Sequence, residues 1–148
     1  MGRLSIVLLL GLTACALDPL ERGALTVTTS VNRSDVSESN PGIVQVSAHN
    51  MSGVPVSLGM GSSSCALSLW VLTEAGQRHP VAGRICTMDL VRDREVLPGD
   101  RRTESFEFDG SVAVDGVVRR LEPNTYRLIG TAADKGESPA VEVRVVAD

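Results

Sequence analysis

From Leu25 onward the chain alternates apolar and polar residues with a period of two, and this constrains what it can fold into more than any other feature. Leu25, Val27, Thr29 and Val31 alternate with Thr26, Thr28 and Ser30, and Val44, Val46 and Ala48 alternate with Gln45, Ser47 and His49. Phe106 and Phe108 flank Glu107, and Val141, Val143 and Val145 enclose Glu142 and Arg144. Successive side chains of a strand point to opposite faces, so such segments make sheets with one dry face and one wet face. No apolar stripe at helical spacing persists beyond two turns, and the reading is an all-β domain over residues 24–148.

Punctuation between these segments sets the strand count. Asn32 to Gly42, with Pro41, forces a loop. Asn50-Met51-Ser52-Gly53 turns the chain into Val54, Val56 and Leu58, so the second and third strands are expected to be joined tightly. A Gly/Ser-rich loop from Gly59 to Ser64 then leads into Cys65 to Thr73, apolar on both faces as a central strand is, with Leu69 and Trp70 expected in the core. Glu74 to Gln77 reads as a turn, and Arg78 to Arg94 mixes a short strand with irregular chain. Leu97-Pro98-Gly99-Asp100 turns the chain into a half-buried strand from Thr103 to Asp109. Leu121 to Asn124 and Lys135 to Pro139 bracket a strand from Thr125 to Ala132, and the last strand follows. About seven short strands without helices indicate two packed antiparallel sheets, an immunoglobulin-like sandwich. Leu121-Glu122-Pro123-Asn124-Thr125-Tyr126 resembles the tyrosine corner of such sandwiches, which implies a structural role for Tyr126, its hydroxyl bonding back to upstream backbone.

The N-terminus is of a different kind. Arg3 precedes an apolar run from Leu4 to Leu12, broken only by Ser5 and Gly11, and Thr13, Ala14 and Cys15 follow. The run is about half of the roughly 20 residues that a membrane-crossing helix needs, and a charged start, a short apolar core and small residues before a cut describe an export signal. Leu12-Thr13-Ala14-Cys15 resembles the bacterial lipobox. The resemblance implies cleavage of residues 1–14, acylation of Cys15 and a membrane partner held through that lipid. Residues 15–23 are then the lipidated cysteine and a tether whose last eight residues reach at most about 25–30 Å when extended. Ala16 in place of Asp favours the outer membrane by resemblance to the sorting rule of enteric bacteria, and the expected location is the bacterial envelope.

If Cys15 carries lipid, Cys65 and Cys86 remain as an even pair in an oxidising compartment, and a structural disulfide between them is expected. It closes a loop of about 20 residues and stabilises the fold by roughly 3 kcal/mol in the chain-entropy model. A redox pair, or a metal site using His79, is the competing reading, against which stands the absence of Cys-x-x-Cys. The net charge is −4, with basic residues scattered apart from Arg101-Arg102 and Arg119-Arg120, so a phosphate-tracking face is missing and nucleic acid is excluded as a partner.

From Leu97-Pro98-Gly99 through Phe106-Glu107-Phe108-Asp109-Gly110 to Tyr126, the second half of the exported part looks like BsuPI-type intracellular proteinase inhibitor domains and related surface modules. Proteinase inhibition is what that resemblance implies, while the lipobox and the cysteine pair depart from it. Neither His49 nor His79 sits in a nucleophile motif, so no catalytic residue is assigned and the chain is read as a non-enzyme without a cofactor. His49, Met51, Met60, His79 and Met88 resemble in type the ligands of periplasmic copper chaperones, at a different spacing. Asp89, Asp93, Glu95 and Asp100 do not follow a calcium-loop spacing and read as a solvated acidic rim, so no metal site is assigned. Asn32-Arg33-Ser34 and Asn50-Met51-Ser52 are assigned to turns. The expected function is therefore that of an envelope lipoprotein whose domain binds a protein or other envelope partner, or serves structurally, with loops such as Gly59 to Ser64 as contact surfaces. The alternatives are a proteinase inhibitor and a copper-binding protein.

Overall fold

The alternating segments become strands of two sheets whose apolar sides face each other. The computed structural model describes residues 24–58, 65–83 and 95–148, so Cys15, the Gly59 to Ser64 loop, Met60, Cys86, Met88, Asp89 and Asp93 lie outside the described residues. Thirteen strands occur among the described residues: β1 (Leu25–Val31), β2 (Asp35–Val36), β3 (Gly42–Asn50), β4 (Val56–Ser57), β5 (Ser68–Leu72), β6 (Arg78–Pro80), β7 (Glu95–Val96), β8 (Arg101–Phe108), β9 (Ser111–Val114), β10 (Val117–Arg120), β11 (Asn124–Ala132), β12 (Gly136–Glu137) and β13 (Val141–Val145). One sheet has the order β1-β3-β8, and the other β2-β13-β11-β5-β6 with β12 alongside β11. β9 and β10 form a separate two-stranded sheet, and so do β4 and β7. All pairings are antiparallel except that of β2 with β13. The architecture is an all-β, immunoglobulin-like antiparallel sandwich, and its seven principal strands are β1, β3 and β8 in one sheet and β5, β6, β11 and β13 in the other.

Val27, Val44, Val46, Phe106 and Phe108 line the inner face of the first sheet, and Leu69, Val71, Leu128, Val143 and Val145 that of the second, all buried in one core. Each such side chain contributes about 1.5–3 kcal/mol on leaving water, so a core poor in aromatics still suffices. The sheets approach closely at Gly130 of β11, where an added Cβ would fall within 3 Å of both Val46 methyls and of Thr29 Oγ1. Backbone Gly130 N–H there donates to Thr29 Oγ1 at 3.0 Å and to Ser138 Oγ at 3.1 Å, a small polar bridge between the layers.

The register defines two ends. At one, Leu25 of β1 faces Asn50, His49 faces Arg101, and Ala24 is the first described residue of the chain. At the other, Val31 faces Val44 and Gly42 faces Phe108. The first is the entry pole and the second the far pole.

Local readings differ in three places. The turn after β3 does not close a hairpin: β4 pairs with β7, because the Asn50 side chain bonds the carbonyls of Val54 and Val96 and draws those two segments together. The strand expected over Cys65 to Thr73 begins only at Ser68, since Glu104 carboxylate oxygens lie 3.4 and 3.3 Å from the backbone N–H groups of Ala66 and Leu67 and take the place of ladder partners. Trp70 is half-buried on the outer face, not in the core, because its neighbours Leu69 and Val71 take the inward positions.

Candidate functional site

Strand alternation that sends Leu69 and Val71 inward leaves Ser68, Trp70 and Leu72 on the solvent side of β5. The register sets Trp70 between Pro80 of β6 and Ile129 of β11. Ile129 is buried yet stands outside the core cluster, as befits an outward side chain whose cross-strand neighbour is an indole. The Trp70 Nε1–H donates to Thr131 Oγ1 at 3.0 Å, which fixes the plane of the ring.

Beside the ring lies an open groove of about 460 Å³, lined also by Arg78, Thr131, Asp134 and Glu137. Arg78 donates to Glu137 Oε2 at 2.8 Å, and that hydrogen bond, with the attraction of the same carboxylate, raises the guanidinium above its ordinary pKa. The floor of the groove turns through Ala133, which takes a left-handed φ of 45°, and Lys135 N–H closes the turn on the Ala132 carbonyl at 2.9 Å. A fixed aromatic plane beside a guanidinium and two carboxylates stacks on flat apolar surface and hydrogen-bonds polar rims, the chemistry of a recognition surface. The sequence reading missed this face because it assigned Trp70 to the core. The signal that finds it is the strict alternation of Leu69, Trp70 and Val71.

The other expected site residues fall elsewhere. His49 Nε2 lies 3.2 Å from the Gly99 carbonyl oxygen at the entry pole, while His79 sits in the edge strand β6, so the two histidines do not meet in one site. No group of three or more His, Cys, Asp or Glu side chains able to hold a metal ion occurs among the described residues. Cys65 is disulfide-bonded, and its partner is outside the described residues. The Tyr126 hydroxyl donates to the Glu122 carbonyl at 2.9 Å, tying the start of β11 to the preceding turn. Among the described residues no helix is long and apolar enough to cross a membrane.

No family model matches the chain, and no curated protein matches it. Among solved structures, a β-glucosidase of Erythrobacter marinus is similar over 82% of this chain and 16% of that one, at 15% identity and a TM-score of 0.47. A mutant β-glucosidase of Listeria innocua in complex with laminaribiose is similar over 83% and 16%, at 15% identity and a TM-score of 0.47. A CARDB domain of Pyrococcus furiosus in complex with di-metal ions is similar over 88% and 97%, at 13% identity and a TM-score of 0.43. The chain spans 16% of the length of those β-glucosidases.

Proposed function

We propose that this chain is a lipid-anchored lipoprotein of the bacterial envelope and not an enzyme, and that its immunoglobulin-like domain is a binding module whose contact face centres on Trp70. Support for the anchor comes from Leu12-Thr13-Ala14-Cys15 placed directly after a short apolar run that starts behind Arg3. Several acyl chains on one cysteine hold a protein firmly where a single chain is marginal, so the domain works tethered. The observation that carries the binding role is the indole of Trp70, half-exposed on an outer sheet face with its orientation fixed by Thr131 and the Arg78–Glu137 ion pair at its side.

Intact mass of the protein purified from its membrane fraction, with and without reductant and alkylation, tests the anchor and the Cys65–Cys86 pairing together. The expected species lacks residues 1–14, carries acyl mass on Cys15 and has no free thiol until reduced. A full-length, unacylated chain with three reactive thiols removes the proposal. The binding face has its own reporter, because Trp70 is the sole tryptophan. Its emission is expected to shift when envelope glycans or peptidoglycan fragments are titrated in, and no shift with any envelope fraction removes Trp70 as the contact.

A further inference from the structure

At the entry pole three large apolar side chains stand in water: Met51 is 67% exposed, Val54 61% and Leu97 52%. Among the described residues only two other large hydrophobic side chains are comparably exposed, Val117 and Val118. One residue holds the three together. Asn50, fully buried, donates from Nδ2 to the carbonyls of Val54 and Val96 at 2.8 and 2.7 Å, and its own carbonyl accepts from Gly99 N–H at 2.9 Å. Ala24 is pinned to the same place, since its carbonyl accepts from Met51 N–H at 3.0 Å. The chain therefore enters the fold within one hydrogen bond of the exposed apolar cluster.

Resting on the lipoprotein reading, we infer that Met51, Val54 and Leu97 form a second membrane contact, which dips into the interface of the same bilayer that holds the acylated Cys15. Eight residues, 16–23, separate that cysteine from Ala24, so the entry pole stays within about 25–30 Å of the lipid even with the tether extended. At that range the bilayer is present at high effective concentration, and a contact too weak to recruit the domain from solution is occupied. A protein partner fits the patch poorly, because three side chains fall far short of the about 1,000 Å² that a specific interface buries, whereas membrane contact has no minimum area and grows with each apolar group buried. The hydrogen bonds of the Asn50 side chain and backbone hold the three residues in place beforehand, so no loop has to order on contact.

The test uses the acylated full protein in vesicles of phosphatidylcholine brominated near the glycerol end of the acyl chains, with Trp70→Phe removing the native fluorophore. Leu97→Trp and, separately, Met51→Trp place an indole in the patch, and Val117→Trp places one on the β9-β10 hairpin, which begins beyond the far pole. Several-fold stronger quenching at positions 97 and 51 than at 117 is the expected result. Equal, weak quenching at all three positions, in protein that floats with the vesicles and carries acyl mass, overturns the membrane contact and leaves the anchor standing. A blue-shifted but unquenched indole at 97 shows that a second copy or another protein covers the patch, which also overturns it. Protein that neither floats nor carries acyl mass takes away the anchor and the inference together.

Discussion

The two poles of the sandwich are closed by opposite means. At the entry pole the neutral, fully buried Asn50 ties two stretches of chain, 52–54 and 96–100, to the end of β3: its Nδ2 donates to the carbonyls of Val54 and Val96, its Oδ1 accepts from Ser52 N–H and Oγ at 2.9 and 2.7 Å, and its backbone N–H donates to the Asp100 carbonyl at 3.0 Å. At the far pole the fastenings are charged and exposed. Arg144 grips Asp35 through two hydrogen bonds of 2.9 and 2.7 Å, Asp148 accepts from Ser39 N–H and Oγ at 2.8 Å each, and Arg120 reaches both Glu38 and Asp148 at 3.4 and 3.3 Å. Buried amide bonds are costly to lose and indifferent to salt, because removing one partner strands a desolvated carbonyl. Exposed ion pairs each contribute little and respond to pH and ionic strength. The chain thus places its unconditional closure at the pole where Ala24 sits and its adjustable closure at the other.

The sharpest way to break this contrast is Asn50→Ala. Two carbonyls lose their donor, one of them in a buried bond, and the Ser52 turn loses its acceptor, so the expected destabilisation is about 3 kcal/mol. For a domain of this size that lowers the melting temperature by about 10 °C, read by circular dichroism. A fall of only a degree or two would show that the entry pole is held by its apolar neighbours instead of by the amide.

How much of this was legible in the sequence follows the same division. β1, β3, β8, β11 and β13 were readable because alternation is a local signal, and each runs close to its expected bounds. Asn50 was readable only as a turn residue, since its partner Val96 lies 46 positions away and nothing local marks the bond. The bridge of Thr29, Gly130 and Ser138 was equally hidden, as it needs three elements brought together, although a glycine inside a strand already signals close approach. The β9-β10 hairpin is different, because its signal was present and unused: Asp115-Gly116 between Val112-Ala113-Val114 and Val117-Val118 is the sequence of a two-residue turn, and both residues take left-handed φ, 52° and 77°. β2, the parallel partner of β13, lies inside what reads as a polar loop, because its two residues are too few to show a period.

A smaller effect is expected from Tyr126→Phe, which removes the bond to the Glu122 carbonyl and leaves the ring in place. The loss is about 1 kcal/mol, or a few degrees in the melting temperature. The same hydroxyl titrates above its ordinary pKa, chiefly because burial disfavours the phenolate and secondarily because Glu122 and Glu74 are nearby. Ultraviolet titration of this single tyrosine should therefore show ionisation later than in a free phenol. A normal titration curve would mean that the corner is open in solution and that the far pole is looser still than the contrast supposes.

The smallest and most conditional effect belongs to Asp148. Its carboxyl is lowered from 3.8 to about 2, first by the Ser39 N–H, then by the hydroxyls of Ser37 and Ser39, with Arg120 adding attraction. A carboxyl whose folded pKa lies below its unfolded one stabilises the fold above the unfolded value, and that contribution fades as pH falls through 3.8 toward 2. Asp35, lowered mainly by its hydrogen bond from Arg144, acts in the same direction. Asp148→Asn should thus lower the melting temperature slightly at neutral pH and not at all near the bottom of that window, and high salt should shrink the neutral difference by screening Arg120. The Asn50→Ala deficit carries no charge, so across the same window and in the same salt it should stay constant. An Asp148→Asn deficit that is equally flat in pH and salt would mean that its serine bonds act as plain hydrogen bonds, and the two poles would then differ in burial alone.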